Sequence, residues 1–310
     1  MAHTRRGRRT AILASVWRTF PWLLRRSVVA AFDDNCFSIA KGAAYSALLS
    51  FFPVLTSAAT ILVQTRADFV SRLIEGFLSK VVPPGTREVV VHQFQVQGAR
   101  PLPLLVVAGL ISLWAASSVI KSLIEGFQAA YRVPRNRGFL RGSGVAMALV
   151  LVSTVPLLGA SALVLFGGRI ERLVLGWMAL DARLTTLAWM WRWLSWLARY
   201  GVAFGATVLV TGLLYYFGPY RKQRWAMVWP GAVVATVLWL LATSAFGWYV
   251  RNLANYNVLY GSVATSIALL VWMYLLAAIA LVGCEFNAEL ERLAESRIVP
   301  KPAAPMPPAR

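Results

Sequence analysis

Six stretches of the chain stay apolar for the roughly 20 residues a helix needs to cross a bilayer, and the segments between them hold most of the basic residues. On hydrophobicity alone they fall near 38–64, 102–120, 143–167, 198–217, 227–250 and 258–284. The predicted fold class is all-α: a polytopic membrane protein with six transmembrane helices, plus amphipathic interfacial helices in the N-tail and the outer loops. The first span contains SFFPVL, whose Pro53 lacks a backbone donor and predicts a kink near mid-membrane.

The flanking segments carry patterns of their own. Residues 1–35 hold seven arginines. AILASVWRTFPWLL is interrupted by Arg18 and Pro21, too broken for a secretory or twin-arginine leader core. It predicts instead an interfacial helix on anionic headgroups, with Trp17, Phe20 and Leu24 toward the membrane. In the first outer loop Phe69, Leu73, Phe77 and Val81 recur at helical spacing until PPG ends the run. In the next outer loop Trp189, Trp193 and Trp196 share one helical face and Arg192 and Arg199 another, an interfacial pattern. The ending PKPAAPMPPAR reads as disordered. The expected organisation is a basic tail over 1–35, a six-helix membrane domain over 36–292 and a proline-rich tail over 293–310.

Composition agrees with the pattern. Of 310 residues 58% are hydrophobic and 14% charged, with a mean hydropathy of +0.62; soluble domains lie nearer half apolar and a quarter charged. Thirteen tryptophans suit rings placed at a membrane–water boundary. The net charge of +19 would fit a nucleic-acid surface. Most basic residues, however, sit between apolar runs, where they anchor helices and set topology, so no specific nucleic-acid partner is expected. The N-tail, 121–141, 221–224 and the end from Arg292 together hold nineteen basic residues, against eleven in the alternate loops. The positive-inside rule then places both termini in the cytoplasm. Cys36 and Cys284 cannot build a disulfide framework and fall near the inner face, where thiols stay reduced. No Cys/His spacing suits a metal, the histidines are His3 and His92, and no cofactor or catalytic residue is assigned.

Ionisable residues at the span ends ask for a reason, because charge is costly there. Lys41 opens the first span, Lys121 and Glu125 close the second, and Glu285 and Glu289 close the sixth. With six spans and an inside N-terminus all five fall on the cytoplasmic side. Lys121 and Glu125 have the spacing of a helix pair. Glu285 is expected to meet Lys41 or Arg132 while Asn287 bridges backbone groups. Two alternatives stay open: a solvated carboxylate beyond the hydrocarbon, or a substrate or proton site. The candidate cluster is thus Lys41, Lys121, Glu125, Arg132, Glu285, Asn287 and Glu289. At the other end Asn252, Asn255, Tyr256 and Tyr260 form a candidate polar rim, or an interfacial turn with aromatic anchors. Gly261 with Thr265, and Ser262 with Ser266, have small-residue packing spacing.

Four segments occur in order: KGAAYSALLSFFPVL, WAASSVIKSLIEGFQAAYRVP, VWPGAVVATVLW and YGSVATSIALLVWMYLLAAIALVGCEFNAELER. Together, over about residues 33–292, they resemble the YihY/virulence factor BrkB family of bacterial inner-membrane proteins. The resemblance implies six transmembrane helices, multi-pass residence in the bacterial plasma membrane, and no settled biochemical activity. Members were long labelled ribonuclease BN, and some are linked in name to serum resistance. The chain departs from the pattern at Gln128, where Asn is more usual, and at Cys284, where Ala is commoner.

Three function classes follow. The first is a transporter or permease for a lipid or amphiphile, with membrane lipids as partners and no ATP-binding motif of its own. The second is an envelope scaffold acting through partners. The third is a membrane ribonuclease, disfavoured because clustered carboxylates and histidines for hydrolysis are missing from the sequence; the expectation is a protein that is not an enzyme. The orientation is directly testable. A reporter fused within 218–226 is expected to read as cytoplasmic, and an external signal there would overturn it.

Overall fold

A computed structural model of the chain describes residues 20–64, 102–134, 138–177, 188–252 and 262–296. They form α1 (20–33), α2 (Cys36–Gln64), α3 (Leu102–Ala130), α4 (Phe139–Trp177), α5 (Ala188–Phe217), α6 (Trp225–Asn252) and α7 (Ser262–Ser296). Helices α2 to α7 are each long and apolar enough to cross a membrane. Several outrun their apolar windows. Hydrophobicity stops at Lys121 and at Glu285, but the residues beyond include good helix formers, so α3 continues to Ala130 and α7 to Ser296.

Two left-handed residues fix the turns at one end of the bundle. Asn35, at φ 57°, separates α1 from α2, a position that suits asparagine. Arg132, at φ 52°, ends α3. There Val133 N–H donates to the Gln128 carbonyl at 2.9 Å and Arg132 N–H to that of Ala129 at 2.8 Å, a Schellman closure without glycine.

The helices pack as a circuit: α2 on α3, α3 on α4, α4 on α5, α5 on α6, α6 on α7, and α7 back on α2, with α7 also against α3. Lipid is as apolar as the helix faces, so close approach through small residues does much of the joining. Ala40 and Ala43 of α2 and Ala232 and Ala235 of α6 are buried in the main core. Gly231 and Gly283 let α6 and α7 touch backbone to backbone. A Cβ on Gly231 would strike the Gly283 carbonyl and the Asn287 side chain, and one on Gly283 would lie 2.6 Å from Ala235 Cβ. Between α2 and α3 hydroxyls do the joining: Ser50 donates to the Ala115 carbonyl at 2.8 Å, and Ser112 to that of Pro53 at 2.8 Å. That leaves Ser57 to donate to Ser112, 2.6 Å away. Helix α2 runs through Pro53 as one element.

The circuit is tight at one end. Every residue of α7 from 281 to 291 is buried, whereas Ile267, Leu270 and Val271 near its start are exposed. Because α7 continues past Cys284, it offers Phe286 and Leu290 as a seat for α1. Phe20 and Leu24 therefore pack inward onto that seat, Phe20 with its ring 5.7 Å from that of Phe286, instead of facing a membrane. Trp22, Val28, Val29 and Phe32 are the exposed large apolar residues of α1. The tryptophan-rich stretch, read from sequence as a separate helix, runs unbroken into α5, since no proline or glycine interrupts it before Gly201. Its Arg199 lies against Gly167 and Gly168 of α4. Trp17, the loop helix over 69–81, Asn255, Tyr256, Tyr260, Gly261 and the tail 297–310 lie outside the described residues.

The α6–α7 contact predicts an asymmetry among glycines. Gly231→Ala and Gly283→Ala are expected to cost about 1–3 kcal/mol by overpacking. Gly205→Ala, with open space around it, should cost nothing. Unfolding midpoints in detergent read this, and equal midpoints for all three variants would contradict the close crossing.

Candidate functional site

The tight end is built on the last turns of α7. Glu285, Asn287, Glu289 and Glu291 are all buried there. Helical geometry places Glu285 and Glu289 on one face and Asn287 and Glu291 on another, so different neighbours must satisfy the two pairs.

Asn287 addresses α6 at Pro230. Its Nδ2 donates to the Val228 carbonyl at 2.9 Å, and its Oδ1 accepts from Gly231 N–H at 2.7 Å. Proline interrupts the helix ladder at that place, and the amide binds the backbone on both sides of it. Glu291 accepts from Arg221 in the α5–α6 loop at 2.6 Å, and that guanidinium lies over the Tyr131 ring at 4.6 Å. Burial pushes the Tyr131 phenol well up, so it stays neutral.

Glu289 lies between two arginines, Arg26 of α1 and Arg292 of its own helix. Arg26 also stacks over Trp22. Arg292 donates to the Ala130 carbonyl at the end of α3 at 2.8 Å and reaches Asp34 at 4.0 Å. Asp34, in the α1–α2 turn, accepts from Arg132 Nε at 3.2 Å. That hydrogen bond pushes the Arg132 guanidinium further up. Ion pairs thus link α1, the α1–α2 turn, the end of α3 and α7.

Glu285 stands apart from these pairs. It is fully buried, and its Oε1 accepts a weak, long hydrogen bond from the Cys36 thiol at 3.5 Å. Its Oε2 has no hydrogen-bond partner among the described residues. The cation expected for Glu285 is therefore elsewhere. Arg132 is taken by Asp34, and Lys41 is exposed, with no ion pair among the described residues. Cys36 is the α2 residue aimed at Glu285, and Lys41, five positions on, is rotated away by the helical repeat.

Of the sequence-predicted cluster, Arg132, Glu285, Asn287 and Glu289 meet at this end. On α3, Lys121 is half-buried and Glu125 exposed, more than a turn before its end. Asn252 closes α6 at the opposite end. The sequence reading missed Arg26, Asp34, Cys36, Arg221, Glu291 and Arg292 as members of the site. A signal existed for Arg292, three residues after Glu289 on the same helix. Among the described residues no three His, Cys, Asp or Glu side chains are grouped to hold a metal ion.

The chain matches the family described as Virulence factor BrkB over residues 28–306, and it belongs to that family. It is similar to the putative ribonuclease-like protein YfkH of Bacillus subtilis, with 31% identity over 80% of this chain and 88% of that protein. It is also similar to UPF0761 membrane proteins of Alkalilimnicola ehrlichii (26% identity, 85% of this chain, 57% of the relative) and Chromobacterium violaceum (30%, 79% and 56%). The chain spans a little over half the length of these last two. No solved structure matches it.

The two faces of α7 predict separable losses. Glu289→Gln removes a buried carboxylate between two arginines and is expected to cost about 2 kcal/mol. Asn287→Leu, which strips the bridge from Val228 and Gly231, should cost a similar amount, about 2 kcal/mol. Lys41→Gln should leave stability unchanged. Chemical unfolding of the purified variants checks all three, and a Lys41 effect as large as that of Glu289 would contradict the assignment.

Proposed function

We propose that this BrkB-family membrane protein is a plasma-membrane permease that moves a lipid or amphiphilic solute, without an ATPase of its own, and keeps both termini in the cytoplasm. The observation that carries the reading is the unequal burial of α7, enclosed on all sides around Glu285 and Asn287 and exposed near its start. On this reading an amphiphile enters from lipid beside the exposed start of α7. Ionisable residues held inside membrane helices commonly mark transport pathways.

The basic-residue asymmetry supports putting the tight end on the cytoplasmic side, at the bacterial inner membrane. The exposed Trp22, Val29 and Phe32, with Arg25 beside them on α1, suit contact with anionic headgroups. A ribonuclease-like activity belongs to the name of the Bacillus relative. In this chain Glu289 and Glu291 are engaged by arginines, an arrangement that competes with their use as ligands for hydrolytic metal chemistry. We therefore read the protein as a non-enzyme.

The test is translocation of fluorescent phospholipid and lysolipid probes in proteoliposomes. The reading expects probe movement between leaflets well above that of protein-free vesicles, without added nucleotide. Rates equal to the protein-free control for both probe classes would reject it in favour of a scaffold that works through partners.

A further inference from the structure

Glu285 differs from every other buried carboxylate at the tight end in its partners. Glu289 has Arg26 and Arg292, Glu291 has Arg221, and the partly buried Asp34 has Arg132 and Arg292. Glu285 has one weak sulfur donor on Oε1 and nothing among the described residues on Oε2, at zero exposure. An ionised carboxylate offers about four acceptor positions, and leaving such a charge dry with one thiol contact is far costlier than burying the neutral acid.

Among the described residues the surroundings offer Glu285 no ion pair of its own. From α2 the group facing it is the Cys36 thiol, and its own helix adjoins it with the buried Cys284 thiol and presents Glu289 and Arg292 one to two turns on. Arg292 is held by Glu289, Asp34 and the Ala130 carbonyl. Beyond the end of α3 lie Tyr131 and Arg132, the latter on Asp34. On α5 the Tyr215 hydroxyl is committed to the Ala280 carbonyl at 2.6 Å. The α5–α6 loop brings Arg221, which is engaged by Glu291, and Arg224, whose charge also acts on Glu291. The described start of α6 brings no titratable side chain to this end, and Arg26 of α1 is spent on Glu289.

We infer that Glu285 is a proton-binding site, occupied in the closed arrangement of this end, where a proton on the carboxyl removes a charge that no ion pair among the described residues compensates. Binding converts carboxylate plus one proton to the neutral acid, and release requires this end to open far enough for water or a freed arginine to reach the oxygens. The inference adds the proton as coupling ion to the permease reading. Its test is spectroscopic, so it fails separately from a failed flux assay.

The full-length protein in lipid nanodiscs at pH 7 is examined by infrared spectroscopy in H2O and D2O. A carbonyl band of a protonated carboxyl, shifted by deuteration, is expected in the wild type and lost in Glu285→Gln, while Glu289→Gln keeps it. Glutamine is the neutral isostere of the acid, so Glu285→Gln should also fold in wild-type yield. Absence of the band in the wild type, its persistence in Glu285→Gln, or failure of Glu285→Gln to fold would each overturn the assignment, the last because it would show that the negative charge itself is required.

Discussion

A membrane helix that carries four buried polar side chains within two turns dictates what must surround it. Water is not available there, so protein groups are brought to Asn287, Glu289 and Glu291, while Glu285 has the Cys36 thiol. Stranding one of these buried carboxylates by removing its arginine would cost about 3–5 kcal/mol, while apolar contact between helices in lipid lacks the hydrophobic driving force it has in water. The polar demands of α7 therefore weigh heavily in fixing this end of the molecule. Helix α1 supplies Arg26, the α1–α2 turn Asp34, the end of α3 Arg132 and the Ala130 carbonyl, and the α5–α6 loop Arg221.

Packing and hydrogen bonding depend on each other here. Asn287 reaches the α6 backbone because Gly231 and Gly283 permit the helices to touch. Pro230, which weakens the α6 ladder, is placed where that amide can reinforce it. The left-handed Arg132 likewise sits where its guanidinium pairs with Asp34. The same end thus joins α1, α2, α3, α6 and α7, while the start of α7 remains exposed.

The six spans were legible because hydrophobic length is a direct readout of bilayer thickness. Helix ends were less so: α3 and α7 run on through Lys121 and Glu285, where hydropathy falls but helix propensity does not. The polar residues at Glu285, Asn287 and Glu289 stood out as anomalies in an apolar run. Their partners did not, since Asp34, Arg26 and Arg221 are ordinary residues in basic or turn-like segments, and only the fold brings them within reach. Lys41 and Arg132 were the sequence candidates for Glu285, yet Arg132 pairs with Asp34 and helical rotation gives the α2 place to Cys36. Phe20 and Leu24 read as membrane-facing because nothing in the sequence of 1–35 announces the seat that Phe286 and Leu290 provide.

Two native thiols report directly on whether this end is closed around α7. Cys36 and Cys284 are 1% and 0% exposed. In wild-type protein in nanodiscs both should resist a membrane-permeant maleimide, and both should be modified once the protein is denatured. Rapid modification of either thiol in the native state would contradict a sealed end.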